Sequence, residues 1–174
     1  MKMWSGRFRQ PLDPEFEQWQ RSFPFDRKLL RFELAASRAH AQALRAAQVL
    51  SAEEKKLILA GLDKIEAEID TKSQNPDFFS DPEAEDVHHF VEKQLVAIIG
   101  DAGKKLHSGR SRNEQIATDL RLFVRESIDD LRAVLSEFLE TLLIRAEESK
   151  LAAMPAFTHL QRAEPVLVAH WLLA

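Results

Sequence analysis

Apolar residues recur at steps of three and four along most of the chain, whereas strand-like alternation is scarce. Residues 1–12 read as irregular. Asp13-Pro14-Glu15 then supplies a helix start, with an N-cap carboxylate and proline at the first helical position. Residues 27–48, rich in Ala and Leu and free of Gly and Pro, predict a helix. Ser51 and Glu54 form a capping box ahead of another, whose stripe is Ile58, Leu62, Ile65 and Ile69. The stretch "KSQNPDFFS", 72–80, predicts a loop, and Asp81-Pro82-Glu83 repeats the cap-plus-proline start. The face that follows carries Val87, Val91 beside Phe90, Leu95 beside Gln94, and Ile98, with Gly100 suited to the C′ position. From Ala117 through Leu120, Val124, Ile128, Leu131, Leu135 and Phe138 to Leu142 the helical steps continue, without proline or glycine between 110 and 154. The pattern predicts an all-α chain.

The last of these helices is too long for a chain of this size. About 38 residues at ~1.5 Å each make a rod of roughly 57 Å, against a radius of gyration of ~16 Å for a compact domain of this length. Its apolar stripe therefore calls for partner helices, from other copies or from more chain. After Met154-Pro155 a further helix is predicted from near Pro165, "VLVAHWLLA", and the sequence ends inside that apolar pattern. The expectation is an N-terminal portion of a longer protein.

Composition narrows the function classes. Hydrophobic residues make up 45% and charged residues 30% of the 174, normal for a soluble globular protein. With no cysteine, disulfides, thiolate metal sites and a cysteine nucleophile are excluded. The formal net charge of −4 speaks against a general nucleic-acid binder. The start has no apolar signal region and no run approaches membrane-spanning length, so a cytoplasmic protein with no membrane partner is expected.

Four stretches could carry chemistry. In "KKLHSGRSRNEQ", 104–115, Lys104, Lys105, His107, Arg110 and Arg112 crowd a glycine-hinged loop at the mouth of the long helix. Guanidinium forks, the neutral donors Ser108, Ser111 and Asn113, and a positive helix end together suit a carboxylate or phosphate. A solvated basic turn is the alternative. In "MPAFTHLQRAEP", 154–165, Thr158, His159 and Gln161 sit in a helix break, where a histidine can exchange a proton or serve only structurally. In "EAEDVHHF", 83–90, and just beyond it, Glu85, His88 and Glu92 share a helix face resembling half a metal site, while Asp86 and His88 could instead meet a polar ligand. Without a second Glu-x-x-His, no di-metal centre is expected. Ser22 and Asp26, in "RSFPFDRKLL", carry little signal by themselves.

Taken in order, "MWSGRF", "SFPFDRKLL", "LSAEEKKLILAGLDKI", "EDVHHFVEKQL", "GDAGKKLHSGRSRNEQIATDLRLF" and "MPAFTHLQRAEP" resemble the argininosuccinate lyases of the fumarase/aspartase superfamily, throughout the chain. Thr-His-x-Gln is shared widely in the superfamily, whereas "GRSRN" beside "KLH" is specific to the argininosuccinate branch and its lens-crystallin relatives. The resemblance implies reversible cleavage of argininosuccinate to arginine and fumarate, in arginine biosynthesis, without metal or organic cofactor. It implies a homotetramer on a bundle of long helices, each site drawing on three subunits. Residues 1–110 would form a small N-terminal helical domain and 111–174 the first part of the central bundle. Arg112 and Asn113 would grip a substrate carboxylate with Ser111 nearby. Ser22, Asp26, Asp86 and His88 would line the pocket, Gln161 would contact substrate, Thr158 would hydrogen-bond it and His159 would transfer a proton. The family's catalytic serine loop does not occur in these residues, so activity of this chain alone is not expected. A non-catalytic, crystallin-like protein of the same fold is the competing reading. Ser108, Glu114, Ala156, Phe157 and Glu164 depart from the commonest family pattern, and Phe157 lacks a hydroxyl usual beside the Thr-His pair.

Overall fold

The computed structural model describes residues 13–72 and 81–174. The irregular start with "MWSGRF", and all of the expected loop except Lys72, lie outside these residues. Helix α1 (Pro14–Gln20) opens as its sequence requires: the Asp13 carboxylate accepts from the amides of Glu15 and Phe16 at 2.9 and 3.1 Å. A short α2 (Phe23–Asp26) leads through one 3₁₀ turn (Arg27–Leu29) into α3 (Leu30–Ala46). Helix α4 (Ala52–Lys72) starts at the expected capping box, where the Ser51 amide donates to Glu54 at 2.8 Å and the Glu54 amide to Ser51 Oγ at 3.1 Å. The Lys105 ammonium and then the Ser51 amide bring the Glu54 carboxyl down to about 2.

Helix α5 (Val87–Ile99) begins later than Asp81-Pro82-Glu83 suggested. Asp81 does accept from the amides of Glu83 and Ala84, at 2.9 and 3.2 Å, but only to close a turn. The carbonyls that a helix would use here are taken by distant donors. Arg21 donates to Asp81 O and Ala84 O at 2.6 and 2.9 Å, and the amides of Ser22 and Phe23 donate to Glu85 O at 2.9 and 3.2 Å. Asp86 is the true cap, accepting from the His89 amide at 2.7 Å. Gly100 (φ +68°) ends α5 and opens a 3₁₀ segment, Gly100–His107. The long helix α6 (Arg112–Glu148) follows, 37 residues without a break.

Beyond α6 the expected helix break is present, but it is a β-ribbon, and the helix expected from near Pro165 starts later. Ala153–Thr158 (β1) and Gln161–Leu167 (β2) form an antiparallel ribbon, with Pro155 opposite Pro165 and an irregularity between Pro155 and Phe157. Pairing with β1 keeps Pro165, Val166 and Leu167 extended, so the last helix α7 (Val168–Leu173) starts only after them. The class remains all-α, with this one small sheet among the described residues.

The chain divides into two compact units, through Phe123 and from Val124. The core of the first is built from the predicted stripes: Ile58, Leu62, Ile65 and Ile69 of α4 and Val87, Phe90, Val91 and Leu95 of α5 are all buried. Phe23 stacks on Phe90 with ring centroids 4.7 Å apart. The 3₁₀ segment approaches α5 so closely that a Cβ at Gly103 would lie 3.1 Å from the Val96 nitrogen. Gly103→Ala is therefore expected to cost about 1–3 kcal/mol, read as a lower urea midpoint at unchanged slope. In the second unit, Val124, Ile128, Leu131 and Phe138 remain 49–56% exposed, so the helix keeps an uncovered apolar stripe.

Candidate active site

The docking of α2 on the start of α5 assembles the first half of the site. With the Ser22 and Phe23 amides on Glu85 O, Ser22 and Asp26 are carried beside Asp86. Ser22 Oγ donates to Asp26 Oδ2 at 2.5 Å, while Asp26 Oδ1 is buried. Burial is the main cause that raises the Asp26 carboxyl above its ordinary range, with the Asp86 carboxylate adding to it.

The basic loop supplies the second half, but only partly as expected. Lys104 and Lys105 pair with Asp101 and Glu54 at the surface, at 2.6 and 2.5 Å. The two arginines turn inward. Arg112 Nε lies 3.1 Å from Asp86 Oδ2, both side chains being about 85% buried, and Arg112 Nη1 donates to Gln115 Oε1 at 3.3 Å. Ser111 is the cap of α6: its Oγ accepts from the Asn113 amide at 3.3 Å, and its own amide donates to Glu114 at 3.1 Å. Asn113 is exposed.

His88 is buried, and its carboxylate neighbours are not those the helix spacing suggested. The Glu85 amide faces His89, and Glu92 lies 3.7 Å from His107. His88 Nδ1 instead meets Glu33 Oε2 of α3 at 2.8 Å, with Asp119 Oδ2 of α6 at 3.6 Å. Ser37 Oγ donates to Glu33 at 2.5 Å, Gln115 Nε2 lies 3.3 Å from it, and Arg110 Nη1 approaches to 3.6 Å while donating to Ser37 at 3.0 Å. Burial works to raise Glu33, but the His88 and Ser37 hydrogen bonds and Arg110 hold its carboxyl below the usual range. Glu33, Ser37, Gln115 and Asp119 were missed in the sequence. Their signal was two buried polar pairs at i, i+4 spacing, Glu33/Ser37 and Gln115/Asp119, on helices otherwise read by their apolar stripes.

Glu33, His88 and Asp119 are the one close grouping of metal-ligating types among the described residues, their ligand atoms within 4.8 Å of one another. The oxygens of Glu33 already receive donors from Ser37, His88 and Gln115, and Arg110 provides positive charge. A cavity of about 10 Å³ is lined by Glu33, His88, Arg110, Arg112 and Gln115, among others. That is room for about one water molecule.

The remaining candidates belong to the second unit. Thr158 pairs with Gln161 across the ribbon, and His159 and Leu160 form its two-residue tip. Both tip residues have positive φ, 49° and 61°. Such tips favour Asn-Gly, because side chains with a Cβ are strained there. Both tip residues are exposed, Leu160 fully, so local packing does not offset the strain.

The helical first unit brings Ser22, Asp26, Asp86 and Arg112 together near the buried His88. The chain belongs to the lyase family, whose profile fits residues 6–174. Its relatives include proteins named "Argininosuccinate lyase": that of Koribacter versatilis (strain Ellin345) is 62% identical over 174 residues, all of this chain and 36% of that protein. That of Acidobacterium capsulatum is 60% identical over 176 residues, again all of this chain and 36% of the relative. The chain thus spans about a third of the length of the curated relatives it matches. Among solved structures, an EDDS lyase in complex with formate superposes with a TM-score of 0.67 at 22% identity, over 94% of this chain and 32% of that one. A fumarate lyase from Mesorhizobium sp. BNC1 gives 0.63 at 19%, over 93% and 38%. These two bear on the fold alone.

Proposed function

We propose that this chain is the N-terminal part of an argininosuccinate lyase, which cleaves argininosuccinate reversibly to arginine and fumarate in arginine biosynthesis. One observation carries the reading: the whole chain is 62% identical to a protein of that name. The grouping of Ser22, Asp26, Asp86 and Arg112 in the first unit supports it. In the reaction a base takes a proton from the carbon beside a carboxylate, and negative charge collects on that carboxylate. The carbon–nitrogen bond then breaks, its electron pair leaves with the guanidino nitrogen, and a separate acid protonates that nitrogen. Arg112 and Asn113, with Ser111 nearby, are assigned to the carboxylate, where fixed donors stabilise the charge as it develops. Ser22, Asp26, Asp86 and His88 line the pocket, Thr158 and Gln161 contact substrate, and His159 moves a proton.

A cavity of about 10 Å³ is far below the ~300 Å³ or more that an organic ligand occupies. In this reading the first unit supplies one wall of the substrate site. Further walls come from other copies in a tetramer, whose shared bundle would cover the stripe of α6, and from the rest of a chain about three times as long. In this reading residues 1–110 are the N-terminal domain and the bundle begins at 111. The enzyme is cytoplasmic, acts on a small molecule without metal or organic cofactor, and has no nucleic-acid or membrane partner. No described helix is long and apolar enough to cross a membrane.

The test is fumarate release from argininosuccinate by the full-length protein containing this sequence. Turnover is expected, with a loss of about 10²-fold or more in His159→Asn, the scale of removing a general acid or base. Absence of turnover, with cleavage of adenylosuccinate or aspartate instead, would assign a sister activity.

A further inference from the structure

Asp119 is fully buried, and neither of its oxygens accepts a hydrogen bond from a described donor. Its neighbours come from every side: Glu33 from α3, His88 from α5, Asp26 from α2 and Arg110 from the segment before α6. An ionised Asp119 would be a buried carboxylate without a donor, next to a second carboxylate. Such a charge costs several kcal/mol. Among the described residues the positive charges near the pair are Arg110, which already lies 3.6 Å from Glu33, and Arg112, which is paired with Asp86 at 3.1 Å. Moving a proton from Asp119 to His88 would not help, since it would add a buried Nε2–H with no acceptor. A carboxylic acid at Asp119 removes the second buried charge and gives one of its oxygens a partner, because it can donate to Glu33.

We infer that Asp119 keeps its proton in the folded protein and shares it with Glu33, and that this buried pair positions His88 with Nδ1–H on Glu33 and Nε2 left as an acceptor. Asp119 is then a positioning residue, acting through Glu33, and the group His88 would receive is an N–H or O–H donor of a ligand. That last step rests on the lyase reading; the location of the proton does not. In keeping with it, burial and then the Glu33 carboxylate push the Asp119 carboxyl up to about 8. The folded state thus binds this proton more tightly than the unfolded chain. Its contribution to stability is full below about pH 4, the ordinary aspartate range, and is lost as pH rises toward 8.

The experiment is a carbon-13 carboxyl titration of the 174-residue chain, with nitrogen-15 spectra of its histidine rings. Asp119 is expected to ionise above pH 7, and His88 to show a single protonated nitrogen, Nδ1, at pH 7. Asp119→Asn, which keeps a donor toward Glu33, should preserve the His88 tautomer and abolish the alkaline transition. Glu33→Gln should lower the Asp119 midpoint by more than about two pH units and release the tautomer. Ionisation of Asp119 below pH 5, or a doubly protonated His88 at pH 7, would overturn the inference, and the wild-type titration decides this even if a variant does not fold. In the full-length enzyme, the alkaline limb of kcat/KM near pH 8 should move outward in Asp119→Asn. A protein without lyase activity would lack that limb while still showing the titration, so the two failures are distinguishable.

Discussion

Arg112→Ala in the full-length protein is expected to lower kcat/KM on argininosuccinate by about 10²–10³-fold, the range seen when one fixed donor to a developing negative charge is deleted. The argument is geometric. Arg112 is held 3.1 Å from Asp86 and within reach of Gln115, and its side chain is only 15% exposed. It is therefore oriented before any substrate arrives, and little entropy is lost in using it. The loss should fall mainly on kcat, because the charge it meets is greatest in the transition state. Arg112→Lys should recover little, since an ammonium cannot reproduce the planar fork that spans Asp86 and Gln115. Steady-state kinetics, with circular dichroism to show that the helices persist, make the check. Near-normal turnover in the alanine variant would remove Arg112 from the site.

The largest stability effect is expected at Phe90. Its ring is 1% exposed and stacks on Phe23, itself 1% exposed. Phe90→Ala should cost about 3–5 kcal/mol through lost burial and the cavity left behind, a large share of the ~5–15 kcal/mol that holds an ordinary domain together. Denaturant titration would read this as a displaced midpoint, and Phe90→Leu should lose much less. The consequence reaches the site, because Phe23 directly follows Ser22 and Phe90 lies two residues beyond His88. Loosening this stack uncouples α2 from α5 and with it Ser22 and Asp26 from Asp86. Phe23→Ala and Phe90→Ala should accordingly be non-additive, as expected for residues in direct contact.

Much of this fold was legible because helices are local. The caps at Asp13 and Ser51, the buried stripe Ile58-Leu62-Ile65-Ile69 and the unbroken run of α6 each follow from residues within one or two turns. What could not be read depends on distant partners. No local pattern reveals that Arg21, Ser22 and Phe23 will occupy the carbonyls of residues 81–85 and delay α5 to Val87. The ribbon at 153–167 was equally hidden: its tip is His159-Leu160 rather than Asn-Gly, and its strands carry prolines. Within the candidate site, Asp86, His88 and Arg112 were named from the residues themselves, and Ser22 and Asp26 only through the family resemblance; these five lie close together. Glu33 and Asp119 were not named, because a carboxylate on an amphipathic helix looks solvated until another helix is laid across it.

The polar centre of the first unit also has a kinetic meaning. Gln115 reaches Glu33 across 82 positions, and Arg21 reaches Ala84 across 63, whereas α5 and its 3₁₀ segment are neighbours in sequence. Closing long loops costs entropy before the contacts they allow can repay it, and such non-local contacts slow folding. The apolar stack of Phe23 on Phe90 is just as distant in sequence, so core and polar centre share this cost. The pairings of Gln115 with Glu33 and of Arg21 with Ala84 need both long loops closed, so the polar centre exists only where the distant ends of the first unit have met.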